Sequence, residues 1–179
     1  MKLLTALILA LAFTGASAQA PTKPADAMPA KPPVPPSKFL NITFQGKTTS
    51  LTLTDLATMP NQVTVHVHNA HRNTDEDYTG PLLSDLLAKA GLSPAHENEQ
   101  LILRSSVVAT GTDSYFVLYS CAEVEPAFSN SKVIVAVMKS GLPDTEGGLI
   151  QLINTDGVKP ARWVHGLANL NIMSLSPSK

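Results

Sequence analysis

"QVTVHVHNAHRNTDEDYTGPLLSDLLAKAGL", Gln62 to Leu92, holds the two periodicities that decide the fold. Its opening alternates apolar and polar residues. Val63, Val65 and Val67 fall on one face of a strand, with Thr64, His66 and His68 on the other. Its end spaces Leu82, Leu83, Leu86, Leu87 and Ala90 as a helical stripe, with Pro81 at the first helical position and Gly91 as the stop. Between strand and helix the chain reads as a loop carrying His71 and Arg72, followed by solvated carboxylates at Asp75, Glu76 and Asp77.

Outward from this core the strands multiply. "KFLNITFQGKTTSLTL" alternates about Gly46 and predicts a hairpin from Phe39 to Leu53. A short helix follows, with Thr54 as N-cap, Asp55 in its first turn and Pro60 as its stop. "SSVVATGTDSYFVLYS" predicts two strands joined at Gly111 to Asp113. Ser120 and Glu123 have capping-box spacing, so a short helix is expected to begin there. "KVIVAVMKSGLPDTEGGLIQLIN" adds two strands about a Gly/Pro/Asp-rich loop, and Leu170 to Met173 a last one. With few helices and no regular β-α alternation, the expected class is a β-rich α+β fold, a single domain with a mixed sheet.

The ends and the composition bound the function. Lys2, the apolar run "LLTALILALAF" and the tripeptide "ASA" have the layout of a signal peptide, residues 1–18, which implies a periplasmic or secreted protein. Seven prolines between Pro21 and Pro36 make residues 19–37 a Pro-rich linker in extended polyproline II, leaving 38–179 as the domain. A net charge of −1 without a basic run argues against a nucleic-acid partner. One cysteine, Cys121, excludes an internal disulfide, and in its apolar-leaning segment it reads as a buried small hydrophobe.

The order "LTLTDLATMP", "YTGPLLSDLLAKAGL", "TDSYFVLYSCAEVEPAF", "KVIVAVMKSGLPDTEGGLIQLINTDGVKPARWVHGLANLNI" resembles the molybdopterin-binding domain of the sulfite-oxidase type, from about Ser50 to the final strand. The resemblance is nearest to small, exported, stand-alone members. It implies a cleft for a pterin, which in the family's enzymes is the organic part of the molybdenum cofactor, with a cysteine thiolate on the metal. That cysteine's place falls in "HVHNAHRNTDEDYTG", which has none, and Cys121 lies well downstream. The implied ligand is therefore a reduced pterin or molybdopterin-type heterocycle, with molybdenum in doubt. A non-catalytic binding or sensing role for a membrane-bound signalling or redox partner follows; the alternative is a molybdenum-cofactor-dependent oxidoreductase.

On this resemblance His71 and Arg72 lie in the loop beside the metal side of the ligand and are donors to a ring carbonyl or an anionic tail. Asp113, next to Tyr115, has the carboxylate that a pterin's 2-amino and N3–H edge requires, and Asp is equally a turn former. Arg162 and Trp163 could clamp a flat ring, Trp163 also suiting a core anchor, and Lys159 could meet a phosphate. Glu123 and Glu125 offer carboxylates too, but Glu123 is assigned to its helix cap. No metal site is assigned: His66 and His68 could share an ion with His71 folding back, but a half-exposed sheet face is the preferred reading.

Overall fold

Gln45 and Gly46 close the first hairpin, with φ of 50° and 77°. Two consecutive central residues at positive φ make the tight turn whose twist matches that of the strands it joins. The computed structural model describes residues 33–69, 73–156 and 160–175. The signal peptide and most of the Pro-rich linker lie outside these residues. In the hairpin, β1 (Phe39–Phe44) pairs with β2 (Lys47–Thr52), Phe44 opposite Lys47. Leu40, Ile42 and Phe44 alternate inward.

This hairpin edges a five-stranded sheet, β2-β1-β10-β5-β6, completed by β5 (Ser105–Gly111), β6 (Phe116–Ser120) and β10 (Leu167–Ser174). β1 runs parallel to β10, and the other pairs are antiparallel. The last strand is longer at both ends than its expected Leu170–Met173 core, because β5 pairs with it from Leu167 to Ser174. A second sheet joins β3 (Val63–Asn69), β4 (Thr74–Gly80) and β8 (Met138–Lys139). Between lies the pair β7 (Val133–Ala136) and β9 (Gln151–Asn154), all eight residues buried. Val133, Val135 and Leu152 face the larger core with Leu40, Val107 and Leu170, whereas Ile134, Ala136 and Ile153 face a smaller one with Val65 and Tyr78. A strand pair covered on both faces reads as a continuous apolar run, as "VIVA" does.

The helices are short: α1 (Leu53–Ala57), α2 (Leu83–Lys89), α3 (Glu99–Leu103) and α4 (Cys121–Val124). The whole is a strand-rich α+β domain. Among the described residues no helix is long and apolar enough to cross a membrane.

Four local expectations are corrected. The N-cap of α1 is Thr52, not Thr54: its side chain accepts from the Asp55 N–H while the Asp55 carboxylate accepts from the Thr52 N–H, a complete capping box. α2 starts two residues late. Pro81 still belongs to an extended segment, its carbonyl accepting from Val135 N–H at 2.9 Å, and Leu82 bridges Ile134. The tertiary pairing overrides the proline signal. Ser120 caps α4 by position but makes no side-chain bond there, which leaves Glu123 free for another partner. Asp75 and Asp77 are solvated as expected, but Glu76 is buried and the acidic run is not a loop. It is β4, paired with β3 from Asn69↔Thr74 to Val63↔Gly80, and Glu76 points inward with 6% of its surface exposed.

The chain enters beside two glycines. Ser37 N–H donates to Gly148 O at 2.9 Å, and Thr112 Oγ1 donates to Pro35 O at 2.5 Å. A Cβ on Gly166 would lie 2.9 Å from that same Pro35 oxygen, so glycine lets the entering segment lie flat on the domain.

Candidate functional site

Tyr119 lies buried within β6, and Tyr115 stands exposed just before it. Their hydroxyls donate to successive backbone carbonyls, Tyr115 to Ala161 O and Tyr119 to Arg162 O, each at 2.5 Å. The 3-10 turn Pro160–Arg162 is thereby tied to β6. Trp163 N–H closes the turn by donating to Pro160 O at 3.0 Å.

From this frame Arg162 reaches Glu123 as a two-pronged pair: Nη1 donates to Oε1, and Nη2 donates to Oε2 at 3.2 Å. Nη2 also donates to Leu118 O at 3.1 Å, and the guanidinium carbon stands 4.0 Å from the centroid of the Tyr119 ring. The fork-on-carboxylate and cation–π contacts are the two interactions that arginine makes better than lysine. The Glu123 carboxylate raises Arg162 further above its ordinary value, and burial raises the Tyr119 phenol. The pair is not sealed: 40% of the Arg162 side chain and 35% of the Glu123 side chain are exposed.

Asp113 is tied to this arrangement only through the backbone of Tyr115. Its Oδ1 accepts from Tyr115 N–H at 3.0 Å, the side-chain-to-backbone bond of an Asx turn, and Ser114 takes φ 66° beside it. Trp163 turns away from Arg162. Its Nε1 donates to Asn154 O at 2.7 Å, and its ring meets Tyr78 edge-on at 5.6 Å over the smaller core. Tyr115 and Arg162 thus share one locality, with Asp113 holding the turn before Tyr115 and Trp163 packed toward the smaller core. His71, Arg72 and Lys159 lie outside the described residues.

Two carboxylates escaped the sequence reading of the site. Glu123 looked like a cap because its spacing from Ser120 satisfied the motif; nothing local points to Arg162, 39 residues away. Glu76 shares parity with Tyr78, and this would have placed it inward once β4 was read as a strand. It accepts from Tyr78 OH at 2.9 Å and pairs with Lys139 Nζ at 2.9 Å, while Lys139 also stands 5.6 Å over the Tyr78 ring. Burial works to raise Glu76, but the bonds from Lys139 and Tyr78 and the ammonium charge hold it below the ordinary glutamate value.

Cys121 does not fit the role of a molybdenum ligand. It has no exposed surface, and burial pushes its thiol up to about 12, whereas a metal-binding cysteine must be an accessible thiolate. Among the described residues no group of three or more His, Cys, Asp or Glu could hold a metal ion. A hollow of about 280 Å³ beside α1 is lined by Leu51, Asp55, Thr58, Met59, Pro60 and Lys89, none of them a candidate. No protein-family model matches the chain, and no curated protein is significantly similar to it.

Proposed function

We propose that the chain is an exported, non-catalytic binding protein for a reduced pterin or a similar flat heterocycle, built on a sulfite-oxidase-type fold. The observation that carries the reading is the half-open Glu123–Arg162 pair. A pterin presents its 2-amino group and N3–H side by side with a ring carbonyl. The Glu123 carboxylate would exchange its two bonds from Arg162 for the two pterin donors in parallel, and the freed guanidinium would donate to the carbonyl. Tyr115 and Tyr119 hold the backbone on which Arg162 stands, so the charges are positioned before a ligand arrives. The exposed Tyr115 extends the aromatic rim. The burial of Cys121 supports binding over redox chemistry, because thiolate ligation would require that residue to leave the core. The Pro-rich linker suits a domain that presents its loaded form to a membrane-bound partner.

The test is a titration of the full chain with a tetrahydropterin under anaerobic conditions, read by the fluorescence of Trp163, the only tryptophan. A saturable change is expected, with Glu123→Gln and Arg162→Ala each weakening binding about tenfold or more, the scale of one lost charged hydrogen bond. Equal affinity in both variants would refute the site.

A further inference from the structure

We infer that the outer face of β3 and β4 binds a late first-row divalent cation, Cu²⁺ ahead of Zn²⁺, through Nε2 of His66 and Nε2 of His68. The inference is independent of the pterin reading and rests on the partners the two rings have.

His66 Nδ1 lies 2.5 Å from Asp77 Oδ1, and His68 Nδ1 lies 2.8 Å from Asp75 Oδ1. The strand register sets both pairs, with His66 opposite Asp77 and His68 opposite Asp75. A neutral imidazole has one N–H. When Nδ1–H is donated to a carboxylate, the lone pair resides on Nε2, the nitrogen at the outer end of the ring. A carboxylate behind a histidine is also the usual support of a metal-bound imidazole, fixing its tautomer and raising its basicity. Here the device occurs twice, side by side.

The spacing and surroundings agree. Residues i and i+2 of a strand share a face and stand about 6.8 Å apart along the chain, a separation that two imidazoles leaning together can bridge with one ion. The His66 and His68 side chains are 77% and 56% exposed, so a hydrated cation reaches them without a channel. The next pair on this face is neutral, Thr64 and Thr79 with hydroxyls 2.8 Å apart. Lys139, opposite Tyr78, stands on the other face with Glu76, so no lysine or arginine of these three strands repels the ion. Two carboxylates beside two imidazoles balance a 2+ charge. Water completes the coordination, and imidazole donors favour copper and zinc, copper more strongly.

The experiment is Cu²⁺ addition to the untagged full chain in a metal-free, non-chelating buffer, followed by EPR and by competition with a calibrated chelator. One tight Cu²⁺ per chain is expected, with the signature of two imidazole nitrogens. His66→Ala and His68→Ala should each remove that signature, and His96→Ala should leave it intact. Asp75→Asn with Asp77→Asn should weaken binding 10- to 100-fold without removing either histidine. Binding that persists unchanged in the His66→Ala/His68→Ala double variant would overturn the site. An unchanged affinity after both Asp→Asn substitutions would reduce the two pairs to surface ion pairs and overturn it equally.

Discussion

Two buried carboxylates show how neighbours decide what burial does to a charge. Glu76 has Lys139, Tyr78 and Asn69 as partners, and its pKa in the fold is lowered from 4.5 despite desolvation. A lowered folded value means that the unfolded chain binds the proton first. The stabilisation is therefore present above pH 4.5 and is lost as the pH falls through the folded value. Glu76→Gln should cost about 1–3 kcal/mol at pH 7, the range for disrupting a buried hydrogen-bonded group, and less at pH 3. Urea melts at the two pH values check it. Glu125 behaves oppositely: desolvation and then the charge of Asp85 raise it, with only a bond from Ala127 N–H opposing. Its contribution is complete below pH 4.5 and is lost as the pH rises through the raised folded value. Glu125→Gln should therefore stabilise the protein at pH 7 and change little at pH 4. A gap between the two melts that does not depend on pH would contradict this account of Glu125.

At the scale of elements, the hairpin about Gly46, the alternation of β3 and the leucine stripe of α2 were all legible, because each is a local pattern. β4 was not. "TDED" has poor strand propensity and looks solvated, and only pairing with β3 makes it a strand, with Asp75 and Asp77 outward and Glu76 inward. The start of α2 was misjudged for a related reason: Gly80 and Pro81 are held against β7 from another part of the chain. A Cβ on Gly80 would lie 1.9 Å from Val135 O, and backbone cannot yield as a side-chain tip can. Gly80→Ala should destabilise by about 3 kcal/mol or more, the upper end of overpacking costs, measured by equilibrium denaturation. At the start of α1, Thr52→Ala should cost about 1 kcal/mol by removing the cap. The same substitution at Thr54 should cost less, since Thr54 is a helical residue and not the cap.

For the whole molecule, the strand-rich α+β class followed from counting alternating stretches, and the buried run of β7 from its composition. The site was legible in pieces. Tyr115 and Arg162 carry ring and donor chemistry, and the Tyr115 hydroxyl reaches the residue before Arg162; Asp113 serves the turn before Tyr115. The pairing of Arg162 with Glu123 was hidden, since a motif that fits locally conceals a partner distant in sequence. The pair's openness and rigid support are the basis for reading this domain as a binder. Native mass spectrometry of the mature chain, recovered from the periplasm of a host making both simple pterins and molybdenum cofactor, tests that claim most directly. A bound mass matching a metal-free pterin, lost in Glu123→Gln and Arg162→Ala, is the predicted result. A molybdenum-containing adduct, or a pterin adduct that survives both substitutions, would contradict it.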